Sequence, residues 1–434
     1  MSGGTLFIVE QGPDLRAFLY SGLAEALAQD GAVSFLAPKA AAGYIPDVYS
    51  VFDSAEHLSP QPDTVRRAAR LLDIWTERDI RRTGGERWVN FASGVAGRSL
   101  RQRVQDLLTS IRVPGGATLL RRRIASAAPN PSFAELLHEI EPTRVVLSNA
   151  ATPLAIEVLR TARQLGVATV VVQNSWKDAF SRPSIPVSPD VLATETQTAL
   201  DQFSRFNPRL AATTLVAPSL HAETFRRDEY RMDREDFCAA ASLDPARPIA
   251  CYTAAAPRAI SGERALVAEL LDAMERDERL RDVQLLIRLN PMEDDPAAWD
   301  ALVEGRSATI QRPDWDWHAD ALWSCPTPAD SRTWVSTVLH SAVNISIPST
   351  VTKDFLRLGR PVVNPVVDEA SERFWDAPFY REYHGHPQVR AAYSGGEIAG
   401  ALAAVLADAQ APQEFEKPPF AALLSHLRGA HVAR

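Results

Sequence analysis

The stretch Val343-Asn344-Ile345-Ser346-Ile347-Pro348-Ser349-Thr350-Val351-Thr352-Lys353-Asp354-Phe355-Leu356-Arg357-Leu358-Gly359-Arg360-Pro361-Val362-Val363-Asn364 carries the fold in miniature. Val343–Ile347 reads as a strand, hydroxyl residues open a helix over Thr350–Leu358, and Pro361–Asn364 reads as a second strand. The same alternation runs upstream: strands at Pro248–Thr253, Val283–Leu289 and Ala308–Gln311, helices at Glu263–Met274, Pro296–Val303 and Ser331–His340. Strands joined by right-handed helical crossovers make a parallel sheet with helices on both faces.

The first half begins the same way. Thr5–Val9 is a strand, Asp14 caps a helix with Leu15, Phe18, Leu19, Leu23 and Leu27 at helical spacing, Gly31 ends it, and Val33–Leu36 follows. Arg144–Leu147 is another strand. Thr152 caps the next helix, with Pro153 at its first position and Gly166 at its end, and Val167–Val172 is a β-branched run of the kind buried on both faces. The expectation is an α/β protein of two Rossmann-like domains with parallel sheets and an interdomain cleft. The first domain would span 1–210, with a helical insertion at about 62–140 (Asp63–Arg82, Phe133–Ile140). The second would span 211–395, and an Ala-rich helical tail, 396–434, would pack back on the first domain. No Gly-x-Gly-x-x-Gly follows either domain's first strand, which disfavours a dehydrogenase.

A chain of 434 residues, 46% of them hydrophobic, exceeds one ordinary core. The net charge of −8 opposes nucleic-acid binding, which needs a dense basic surface. One region runs against it: Arg81 to Arg123 holds ten arginines against Glu86 and Asp106, a balance of +8. Such a run fits a solvated helical face, and equally a surface for an anionic acceptor or lipid head groups. Cys238, Cys251 and Cys325 form no Cys-x-x-Cys pair, and His384 with His386 is the only close histidine pair, so no metal and no disulfide framework is expected. The N-terminal apolar run is too short for a signal peptide, and no window approaches the roughly 20 apolar residues of a membrane span. A cytoplasmic protein is expected, with peripheral membrane contact through Arg81–Arg123 left open.

Candidate chemistry lies at the strand ends. The helix opened by Ser349 and Thr350 offers unpaired N–H groups and hydroxyls to a phosphate, and Asp354 a carboxylate to ribose hydroxyls; the same residues also fit an ordinary cap with a surface Asp. Arg288 is either a cation for a diphosphate or a salt-bridged strand-end arginine. In an open parallel sheet the carboxyl ends of strands line the ligand crevice, which makes Glu10 the first candidate for a general base, with Asp178 and Asp14 next; a loop carboxylate is the plainer reading. Lys177 and Arg182 are placed to meet a phosphate or acidic sugar. Trp315, Trp317, Trp323 and Trp334 either stack on a base or sugar or fill a loop core.

Ser349–Val351 with Leu358-Gly359-Arg360-Pro361-Val362-Val363 resembles the "Ser-Thr-Val … Leu-Gly-Lys-Pro-Val-Val" signature of nucleotide-sugar-using GT-B proteins: bacterial surface-polysaccharide glycosyltransferases, teichoic-acid glycerophosphotransferases and non-hydrolysing UDP-N-acetylglucosamine epimerases. Leu243–Thr253 resembles the entry to their donor domain, without the usual glycines after it. Arg288-Leu289-Asn290-Pro291 resembles their "Arg-x-His-Pro" turn, and Gln173-Asn174-Ser175-Trp176 their "Gln-His-Gly-x" loop, with Asn for His in both. The resemblance covers about 145–178 and 210–365. It implies a nucleotide-sugar donor held by Thr253, Arg288, Ser349, Thr350 and Asp354. It also implies a glycan or lipid-linked acceptor near Gln173, Asn174, Trp176 and Lys177. Catalysis is expected of Glu10 and Asp178 from their strand-end positions, and no metal or other cofactor is expected. The function implied first is a metal-independent glycosyltransferase of surface-polysaccharide synthesis; the alternatives are an epimerase of the same fold or a non-catalytic binding subunit.

Overall fold

The computed structural model describes residues 4–82, 115–217, 219–257, 259–260, 262–318, 323–407 and 420–429. Of the arginine-rich region, only Arg121, Arg122 and Arg123 have described side chains; the rest of that expectation falls outside the described residues.

The chain divides into two compact units. The first holds a seven-stranded, all-parallel sheet. Its strands are β1 (Thr5–Ile8), β2 (Val33–Ala37), β3 (Ser50–Asp53), β4 (Arg144–Leu147), β5 (Ala168–Val172), β6 (Val191–Thr194) and β7 (Thr213–Val216). The order is β3-β2-β1-β4-β5-β6-β7, so the direction of winding reverses between β1 and β4. Phe7 is the register partner of both Phe35 and Val146. The rings of Phe18 and Phe35 lie 5.1 and 5.3 Å from that of Phe7 and form the centre of the core. Strands β4 and β5 are buried along their whole length, as a sheet covered on both faces requires. The helix Pro153–Gln164 starts where Thr152 Oγ1 accepts the Ala155 N–H at 3.1 Å, and it stops at Gly166, whose φ of 73° only glycine adopts at no cost.

The boundary lies at Glu223/Thr224 rather than near 210, because β7 pairs with β6 and completes the first sheet. Two later pieces also belong to this unit. One is the strand end at 323–325: Cys325 is buried in the first core, and the Gly12 carbonyl lies 3.8 Å from its Sγ. The other is the helix Phe420–Gly429, which inserts Leu423 and Leu427 into the same core and ties Arg428 to Asp30 at 2.7 Å. A Cβ on Gly12 would sit 1.9 Å from Ser324 O and 2.5 Å from Cys325 Cα, both main-chain atoms that no rotamer change can clear. Gly12→Ala is therefore expected to destabilise this unit by about 3 kcal/mol, read from denaturant unfolding. An unchanged midpoint would mean that 324–325 does not seat there in solution.

The second unit holds β8 (Ile249–Thr253), β9 (Gln284–Arg288), β10 (Ala308–Gln311), β13 (Val343–Ile345), β14 (Val362–Pro365) and β15 (Val389–Ala392); β11 (Trp315–His318) and β12 (Trp323–Pro326) form a separate two-stranded pair, whose residues 317–318 and 323–325 fall in the first unit. Its six-stranded sheet runs β10-β9-β8-β13-β14-β15, every pair parallel, with the reversal between β8 and β13. The Ala-rich helix Gly395–Ala407, expected in the tail, lies in this core through Ile398, Leu402 and Val405. Among the described residues no helix is long and apolar enough to cross a membrane.

Candidate active site

A parallel sheet leaves a crevice at the carboxyl ends of its strands where the winding reverses. In the first unit those ends belong to β1 and β4, flanked by β5, and each carries polar side chains. After β1 come Glu10 and Asp14. Asn149 and Thr152 follow β4, and Asn174, Lys177 and Asp178 follow β5.

Asp14 is the buried anchor. Its Oδ2 accepts the main-chain N–H groups of Glu10 and Gln11, each at 2.8 Å, and its Oδ1 accepts the Asn174 side-chain amide at 2.7 Å. Burial raises its pKa, and these donors with the Ser148 hydroxyl pull it back. The turn after β1 is thereby tied to the loop after β5 by a single carboxylate. Thr152 serves two ends at once: it caps its helix and donates its hydroxyl to Glu10 Oε2 at 2.8 Å. The Asn149 amide reaches Asp178 Oδ2 at 3.5 Å.

Burial pushes the half-buried Glu10 up to about 7; the Thr152 hydroxyl and the Arg182 cation oppose this, and the charges of Asp14 and Asp178 add to it. Burial likewise raises Asp178 to about 6, against Arg182 and Lys177. Burial lowers Lys177, and Asp178 opposes the shift. Burial thus moves both carboxyls up toward neutral pH, the range in which a carboxyl can hold or release a proton. Among the described residues no group of three or more His, Cys, Asp or Glu is placed to hold a metal ion.

Sequence reasoning named Glu10, Asp178, Asn174 and Lys177, and the structure brings them to one end of one sheet. It missed Asn149 and took Thr152 only as a cap; both stand just after β4, the strand at the reversal. Gln173 and Trp176, expected at the acceptor, are buried, Trp176 to 1%.

The second unit places the donor candidates differently from one another. Ser349 and Thr350 are half-buried at the start of Thr350–Arg357, and Ser349 makes no side-chain cap bond. Thr253 Oγ1 accepts the Asn344 amide at 2.9 Å. Asn344 opens a buried polar chain: Ser346 Oγ donates to Asn344 Oδ1 at 2.7 Å, Asn364 Nδ2 to Ser346 O at 2.6 Å, and Tyr380 OH to Asn364 Oδ1 at 2.6 Å. Two candidates face inward instead of presenting free charge. Asp354 is buried, its Oδ2 accepting the Trp334 indole at 3.2 Å and its Oδ1 Arg357 at 3.1 Å. Arg288 is buried too: Nη2 meets Asp330 Oδ1 at 2.7 Å, Nη1 meets Gln311 Oε1 at 2.9 Å, and its guanidinium lies 5.3 Å over the Trp334 ring. Trp315 also turns inward, donating to Asp330 Oδ2 at 3.0 Å. His384 stacks on Trp375 at 4.4 Å as part of an aromatic cluster.

No protein-family model and no curated protein sequence matches the chain. Solved structures do match in shape. The UDP-GlcNAc 2-epimerase of Neisseria meningitidis, bound to UDP-GlcNAc, superposes with a TM-score of 0.53 at 10% identity, covering 99% of this chain and 100% of that one. A putative UDP-N-acetylglucosamine 2-epimerase from Listeria monocytogenes gives 0.57 at 11%, covering 99% and 96%. The UDP-GlcNAc 2-epimerase of Methanocaldococcus jannaschii gives 0.53 at 11%, covering 98% and 99%. At such identities the likeness is one of fold, and the fold of this chain is the two-unit, parallel α/β architecture of GT-B type.

Proposed function

We propose that this chain is an enzyme acting on a nucleotide sugar, that Glu10 and Asp178 are its proton-transfer pair, and that its reaction is epimerisation at a carbon of the bound sugar. The observation carrying this reading is that Thr152 and Asn149, both just after β4, reach Glu10 at 2.8 Å and Asp178 at 3.5 Å, so that two carboxyls raised by burial are held beside the sheet's reversal point. To invert a carbon that bears hydrogen, its C–H bond must break and then re-form from the other face. One group takes the proton and another returns one. The electron pair left behind is accommodated when the nucleoside diphosphate leaves the adjacent anomeric carbon, and it is handed back when that bond closes again. Near pH 6.5 Asp178 would be the acceptor and Glu10 the donor. The fold likeness to epimerases that bind UDP-GlcNAc supports a nucleotide sugar as the ligand.

The glycosyltransferase implied by the sequence resemblance is the second reading. It needs only one carboxylate, as base for an acceptor hydroxyl, and leaves the other without a role. Incubation with UDP-N-acetylglucosamine in D2O, followed by proton NMR, separates the two. An epimerase is expected to deplete the proton signal of the inverting carbon and produce a second sugar isomer. Turnover to free UDP with no deuterium in the sugar would sink epimerisation in favour of transfer or hydrolysis. Absence of binding across UDP-, GDP-, CMP-, CDP- and dTDP-sugars would sink the nucleotide-sugar reading as a whole.

A further inference from the structure

A second concave site lies in the first unit, away from the carboxylates. Helices Asp63–Arg82 and Gly116–Ala125 and the end of helix Gln197–Phe206 enclose a cavity of about 560 Å³. The turn after Phe206 leads into the start of β7, so the cavity sits at the amino end of the sheet, opposite the end that carries Glu10 and Asp178. Its volume falls in the range of small-molecule sites.

Three arginines reach this cavity: Arg121, Arg205 and Arg209. None has a carboxylate partner among the described residues. The Arg121 guanidinium donates to Ile185 O at 3.2 Å, Phe206 O at 3.3 Å and Asn207 Oδ1 at 2.9 Å, all neutral oxygens. Burial lowers its pKa with no acid opposing the shift. Arg209 bonds the neutral Thr118 hydroxyl at 3.1 Å, and Arg205 stacks on the Phe206 ring at 5.6 Å. Among the described residues the half-buried Arg121 guanidinium is held by neutral acceptors, so an anion in the cavity would meet an uncompensated positive charge. Among the described residues Asp79 is the one acid in the lining against three arginines, an excess of positive charge within a chain of net −8. Leu72, Trp75 and Phe206 give it an apolar wall beside the charge.

We propose that this cavity is a binding site for a phosphate monoester, with the Arg121, Arg205 and Arg209 guanidiniums on the phosphate and the apolar group of the ester against Leu72, Trp75 and Phe206. Guanidiniums match phosphate oxygens by paired N–H donors, which neutral sugars and cations cannot use. The site is independent of the proposed reaction and stands or falls separately from it.

The phosphate ester has two sources, a lipid head group or a soluble metabolite, and calorimetric titration of the full chain distinguishes them. Dioctanoyl phosphatidic acid below its micelle concentration tests the lipid, and glycerol 3-phosphate, the same head without chains, tests the metabolite. The doubly substituted Arg205→Gln/Arg209→Gln protein removes two exposed charges that hold no structural ion pair, so its fold, checked by circular dichroism, is expected to persist. Saturable binding that weakens at least tenfold in the double variant is the expected result. Tenfold tighter binding of phosphatidic acid assigns the site to a lipid, and equal binding assigns it to a soluble ester. No saturable binding of either probe, or binding equally tight in the folded double variant, overturns the proposal.

Discussion

Glu10→Gln is expected to cut turnover of a nucleotide sugar about a thousandfold while leaving its binding within a factor of a few. The amide keeps the shape of the carboxyl, and its oxygen can still accept the Thr152 hydroxyl that the carboxylate accepts at 2.8 Å. What it loses is the exchangeable proton. The pH profile of the parent enzyme supplies a second readout. kcat/KM should rise through about 6 as Asp178 ionises and fall through about 7 as Glu10 gives up its proton, producing a narrow bell. In Glu10→Gln the alkaline limb should vanish; Asp178→Asn should remove the acid limb. Linkage has the opposite sense from that of a salt-bridged acid. Between 4.5 and about 7 the native protein holds a proton on Glu10 that the unfolded chain has released, so Glu10's contribution to stability declines as pH rises across that window. Full turnover by Glu10→Gln with an unaltered profile would remove Glu10 from the chemistry.

The largest effect on stability is expected from Asp330→Ala. The Asp330 carboxylate receives Arg288 at 2.7 Å, the Asp314 N–H at 2.9 Å and the Trp315 indole at 3.0 Å. Its removal strands a buried guanidinium and two N–H donors, a loss of about 3–5 kcal/mol. For a unit of this size that is a fall in Tm on the order of 10 °C. Replacing both partners, Arg288→Met with Asp330→Leu, removes the uncompensated charge and should recover at least half of the loss. The comparison separates a scaffold pair from a ligand-binding arginine. If Arg288→Met/Asp330→Leu is as stable as the parent but no longer binds nucleotide sugar, Arg288 belongs to the donor site after all.

These two predictions also mark what the sequence makes legible. Glu10 can be found because it immediately follows the first apolar strand, and strand ends in parallel sheets are where ligands gather. Asn174 and Asp178 follow β5 for the same reason. The parallel sheets are legible because runs such as Val170-Val171-Val172 are buried on both faces and leave no alternation. Arg288 and Asp354 are different. Whether a charged residue at a strand end or early in a helix points outward depends on partners such as Asp330, forty-two positions from Arg288, and Trp334, twenty from Asp354. No local pattern encodes that choice. The boundary expected near 210 meets the same limit: Thr213–Val216 are exposed and half-buried, and their pairing with β6, which no local pattern encodes, makes them an edge strand of the first sheet.

The helix Phe420–Gly429 has a consequence for biosynthesis. Phe7 shares a core with Leu423 and Leu427, more than four hundred positions later. All six strands of the second sheet lie between them in sequence. A ribosome therefore makes that whole sheet before it makes the helix that covers the first one. Until residues 420–429 emerge, the first core keeps a greasy face open to chaperones.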